Sequence, residues 1–137
     1  MPKAKRSLLV GPTFLITKDN LEALLTPEAC SSFRDRLDDI IGAILDHPNA
    51  LKSRPEPPPP KYKLGNTQFR KLEFRVPGLT GDPGEGRLMY CYNPDKQTIS
   101  LLMLYTHADF AGRPDSSYLR DLLDNAPEPH LKAMNSR

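Results

Sequence analysis

Cysteine is scarce in this chain. Cys30 and Cys91 are the only two, and neither stands in a metal-ligand spacing. That scarcity argues for a reducing compartment, with each thiol a small core residue. Long apolar runs are missing too. None approaches membrane-spanning length, and the basic start "MPKAKRSLLVG" has too short an apolar stretch for a secretory leader. A cytoplasmic protein with no membrane partner is expected. An excess of one charge is also missing. With a net charge of +2, nucleic-acid binding depends on where the positive side chains gather. No glycine-rich phosphate loop opens a helix: "GDPGEG" has neither the lysine nor the following helix and reads as a turn. No nucleophile motif is present, although a dispersed Ser–His–Asp or Cys–His arrangement stays open. No set of His, Cys and carboxylates has metal-ligand spacing, so no metal and no other cofactor is expected.

What is present fits one small domain. The chain has 137 residues, 38% apolar and 26% charged, enough for one hydrophobic core over residues 1–137. "SLLV", Ser7 to Val10, is a short strand closed by Gly11-Pro12. A short helix follows, starting between Thr13 and Asp19 and ending near Leu25. A longer helix runs from Pro27 to Asp46: Thr26 caps it, Pro27 suits its first turn and Glu28 complements its dipole. Cys30, Phe33, Leu37, Ile40, Ile41 and Ile44 form its apolar stripe, and His47-Pro48 ends it. Residues 52–61 are a Pro-rich loop, expected to be extended and to add nothing to the core. Lys61 and Lys63 border whatever site exists.

The period then changes to two. In "FRKLEFRV", Leu72, Phe74 and Val76 face one way and Lys71, Glu73 and Arg75 the other. Strands from Arg87 to Tyr92 and from Thr98 to Tyr105 complete a meander. A last helix lies in "PDSSYLRDLLDNAP", capped by Asp115 or Ser116, and residues 127–137 read as a flexible tail. The fold class is α+β in the order β-α-α-β-β-β-α, an antiparallel sheet with helices packed on one face. "TISLLMLYTH" is apolar on both faces, so the other face needs cover, from a partner or from the C-terminal segment.

The meander brings charge together. The end of its first strand, the start of its second and the end of its third share one sheet edge, so Arg75, Arg87 and His107 should converge. An odd-numbered turn between the last two strands puts Arg87 and His107 on the same face. An even one separates them unless a bulge intervenes. Two arginines and a titratable histidine suit metal-independent RNA cleavage. The substrate's own 2′-OH is then the nucleophile, histidine moves a proton and arginine holds the phosphate.

The stretch "FRKLEFRV…GEGRLMYCYN…TISLLMLYTHADF", with a helix after it, resembles the HigB/RelE toxins of bacterial type II toxin–antitoxin systems, over about Phe69 to Leu123. The resemblance implies an endoribonuclease that cleaves mRNA on the ribosome and is neutralised by a cognate antitoxin. It implies that Arg87 holds the scissile phosphate and that Arg75 and Arg70 line the RNA groove, with Lys71 and Lys63 in support. His107 would then be the general acid or a charge stabiliser. Glu73 stands as a possible base, or as an ion-pair partner for Arg75. The loop before Arg87 is acidic here, with Asp82 and Glu85, where such relatives are often basic. The alternative is a non-enzymatic binding protein on the same fold, either a ParE-like gyrase inhibitor or an inactive homologue.

Overall fold

The computed structural model describes residues 6–49 and 52–136; positions 1–5, 50, 51 and 137 of the expected domain lie outside the described residues. Strand β1 (Ser7–Val10) leads into helices α1 (Pro12–Glu22) and α2 (Pro27–Asp46), followed by a two-residue strand β2 (Arg54–Pro55). Strands β3 (Gln68–Arg75), β4 (Glu85–Asn93) and β5 (Thr98–Thr106) come next, then α3 (Ser116–Asp124) and α4 (Pro129–Asn135). The long helix has the bounds its sequence predicts, and the Thr26 side chain accepts from the Ala29 N–H at its start.

The sheet has five strands in the order β1-β5-β4-β3-β2. Its centre is the expected antiparallel meander, but the sheet as a whole is mixed. β1 lies parallel to β5, with Ser7 beside Thr98 and Val10 beside Leu101. The meander leaves the outer edge of β5 without backbone partners, and β1 fills the first half of it.

Helices cover both faces, not one. On the first face α2 seats Phe33, Leu37, Ile40 and Ile44 against Leu72, Phe74, Leu88 and Tyr90, with Phe14 and Leu21 of α1 alongside. On the second face Leu119, Leu122 and Leu123 of α3 and Leu131 of α4 pack on Met89, Cys91, Leu102, Met103 and Tyr105. The reason lies in β4 and β5, which are apolar on both sides and would otherwise leave a bare surface. Of the two covers expected for that face, a partner or the C-terminal segment, the C-terminal helices supply the second. Among the described residues no helix is long and apolar enough to cross a membrane.

Two segments do more than their composition suggests. The Pro-rich stretch pairs with β3 through β2 and buries Ser53, Glu56 and Tyr62. Arg113 donates to Pro57 O at 2.6 Å and Arg120 to Pro60 O at 3.0 Å. The region expected as a loose tail contains α4. The buried Glu128 carboxylate pins its start to β5, accepting from Thr98 Oγ1 at 3.0 Å and Ser100 Oγ at 2.9 Å.

Candidate functional site

Register decides which charges meet. β4 turns into β5 with Asn93 opposite Thr98, so the turn holds four residues, an even number. A regular ladder would then set Arg87 opposite Leu104 and send His107 to the other face. A bulge between Met89 and Tyr90 shifts the register. Leu102 is the extra residue: Met89 pairs with Met103, and Tyr90 with Leu101. Beyond the bulge Arg87 stands opposite Tyr105, and the His107 N–H donates to Glu85 O at 3.0 Å. Cross-strand partners share a face. Arg75, Glu85 and His107 therefore form one row on the second face, and Glu73, Arg87 and Tyr105 form the next.

The inner row is an ionic cluster around a buried phenol. Arg87 Nη1 donates to the Glu85 and Gly86 carbonyls at 3.1 and 3.4 Å, and Nε lies 3.7 Å from Glu73 Oε1. Arg54 takes the same Glu73 oxygen at 3.1 Å. Next to this pair the buried Glu56 binds Lys71 at 3.4 Å and Arg113 at 3.0 Å. The Tyr105 hydroxyl is pushed up to about 12, chiefly by burial; Glu56 adds to the shift, and Arg87 opposes it. The phenol therefore stays protonated at neutral pH, where it can donate a hydrogen bond.

The outer row is open to solvent. A short 3-10 turn, Asp82–Gly84, carries the chain into β4. Its geometry is fixed from both ends: Gly84 N–H donates to Gly81 O at 3.0 Å, and Val76 N–H donates to Gly84 O at 2.9 Å. Asp82 and Glu85 thereby meet His107, with donor atoms of all three within 4.8 Å of one another. The Arg75 guanidinium lies against Gly84, whose added Cβ would sit 3.4 Å from Arg75 Cζ.

Arg75, Arg87 and His107, the residues predicted to carry the chemistry, thus share one face at one end of the sheet. Lys71 shares that face further along β3, tied to Glu56. Glu73 pairs with Arg87 and Arg54 rather than with Arg75. Arg70 points the other way. It is buried on the α2 side, where Nε donates to Ser53 Oγ at 2.7 Å and Nη2 to Ser53 O at 2.9 Å. Lys63 is exposed beside α4, its N–H donating to Asn135 Oδ1 at 2.7 Å. Residue order carries no hint that Tyr105 stands opposite Arg87, or that Glu56 and Arg113 lie near that phenol. Tyr105 reads as one more apolar strand residue, and Glu56 is hidden among prolines. Comparisons with protein-family models, curated proteins and solved structures found no match for this chain.

Proposed function

We propose that this protein is an endoribonuclease that cleaves mRNA through attack by the substrate's 2′-OH, acting as a HigB/RelE-like toxin on ribosome-bound message. The supporting observation is the bulge at Leu102, which turns Arg87 and His107 to the same face and adds Arg75 in the same row. In this reading Arg87 and Arg75 hold the two non-bridging oxygens of the scissile phosphate, since guanidinium matches phosphate geometry and stays charged. His107 gives a proton to the departing 5′-oxygen, and the Glu85 carboxylate, within 4.8 Å of the imidazole, takes one from the 2′-OH. The protonated Tyr105 hydroxyl, opposite Arg87, stabilises charge that develops on phosphorus-bound oxygen. A cognate antitoxin completes the proposal. Its binding no longer rests on a bare sheet face.

A second reading has its own observation. Lys71 and Arg113 share the single Glu56 carboxylate, and Arg87 shares Glu73 with Arg54, so part of the positive charge that a nuclease groove calls for is already paired. That favours a non-enzymatic binding protein on the same scaffold. Primer extension on cellular message after induced expression separates the two. Discrete new 5′ ends, absent with the His107→Ala variant, support the nuclease. Growth arrest without new ends supports the binding protein.

A further inference from the structure

We infer that Asp82, Glu85 and His107 form a binding site for a divalent transition-metal ion of the Mn²⁺ or Zn²⁺ class. Three side-chain donors converge within 4.8 Å of one another, two carboxylates from the turn before β4 and an imidazole from the end of β5. Donors bound to one ion at about 2.0–2.2 Å sit roughly 3–3.5 Å apart, so closing the set takes small rotations of side chains. Asp82 and Glu85 are exposed and His107 is half-buried, so they are free to make those rotations.

Electrostatics favours an occupant. Two carboxylates face each other here, and among the described residues neither makes an ion pair within 4.0 Å. Arg75 is the adjacent cation, yet its guanidinium lies over Gly84 instead of bridging the pair. A divalent ion would neutralise both carboxylates at once. The donor chemistry selects its class: carboxylates suit harder ions such as Mn²⁺, imidazole suits Zn²⁺, and a mixed set with three protein ligands leaves positions for water. Calcium is disfavoured because it wants six or more oxygen ligands.

The site has a consequence that rests on the proposed nuclease function. An imidazole nitrogen bound to a metal has no proton to give, and Glu85 bound beside it cannot accept one. The ion would therefore switch cleavage off, and sequestering it would switch cleavage on. A metal-independent reaction would be regulated by metal through its own acid–base pair.

The test uses the full chain and the metal alone. The protein has three histidines, so their ring signals are separately readable by NMR. Substoichiometric Mn²⁺ is expected to broaden the His107 ring signals while those of His47 and His130 stay sharp. Zn²⁺ titrated by calorimetry should bind one per chain. Outer-shell groups alone are worth roughly 10–100-fold in metal affinity, so Asp82→Asn and His107→Ala should each cost at least that. His47→Ala should cost nothing. Equal broadening of all three histidines, broadening of none, or Zn²⁺ affinity unchanged in Asp82→Asn overturns the site. Cleavage assays with added Zn²⁺ then test the regulation: activity should fall over the concentration range in which Zn²⁺ binds, and activity that persists at saturation overturns it. A chain that binds the ion at His107 but never cleaves RNA, with or without metal, leaves the site standing and removes the nuclease function.

Discussion

Arg87 stands opposite Tyr105 in the β4–β5 ladder, not opposite Leu104, because Leu102 is one residue more than the ladder needs. The bulge has an energetic cause as well as a geometric result. Leu101 and Leu104 belong to the core under α2, while Leu102 and Met103, adjacent in sequence, both face α3 and α4. One irregularity therefore fills two cores and turns His107 toward Arg87.

Gly86 holds this edge close to the first core. A Cβ there would lie 2.7 Å from the Phe74 ring directly across the ladder. Gly86→Ala should destabilise the fold by about 1–3 kcal/mol through overpacking. Trimming the ring with Phe74→Leu should restore part of that loss only in the Gly86→Ala background. Thermal melts of the two single variants and the double variant measure the coupling.

Arg70 and Arg75 sit five positions apart on β3 and should behave in opposite ways. Arg70 is 7% exposed and hydrogen-bonded to Ser53. Arg70→Ala removes both bonds and takes this donor from the Ser53 carbonyl, while Ser53 Oγ keeps the Tyr90 hydroxyl at 2.6 Å, and it should cost about 1–3 kcal/mol in urea unfolding. Arg75 is exposed, and Arg75→Ala should cost within about 0.5 kcal/mol. If RNA binding falls in the Arg75 variant alone, the two roles are separated.

High pH should weaken the fold through groups kept neutral by burial. The Tyr105 hydroxyl is raised from 10.0 to about 12, and burial raises the Cys91 thiol in the same direction. A group whose pKa is raised on folding gives its full stabilisation below its unfolded pKa. For Tyr105 that contribution is present below pH 10 and is lost as pH rises through about 12. Urea midpoints measured from pH 8 to 11 should therefore fall at the alkaline end, and Tyr105→Phe should reduce the part of the fall above pH 10 without abolishing it, since burial and the Asp124 hydrogen bond raise the Tyr62 hydroxyl in the same direction.

Much of this fold can be read directly from residue order. α2 is legible because a cap, an N-terminal proline and an unbroken apolar stripe agree over its whole length. The meander is legible because β3 alternates cleanly from Lys71 to Arg75. Its register is not: Ile99 to Tyr105 is apolar almost throughout, and a strand buried on both faces carries no alternation to mark where one residue bulges. Proline composition hid the inward-facing Glu56 and Tyr62. In α4 a single fully buried side chain, Leu131, anchors the helix, too little to show as a periodic stripe. The meeting of Asp82, Glu85 and His107 was invisible for a different reason. Metal-ligand spacing is read along the chain, and these donors come together across a ladder.

Single-turnover cleavage of message on programmed ribosomes tests the central claim, that one sheet edge carries both the phosphate contact and the proton donor. The parent, Arg87→Ala and His107→Ala are compared, with thermal melts establishing that each is folded. Losing one preorganised charge contact should slow Arg87→Ala by about 10²–10³-fold. His107→Ala should be slower by about 10²–10⁴-fold and lose one limb of the pH–rate profile. If both variants are folded and cleave at the parental rate, Arg87 and His107 are only the charged ends of two strands.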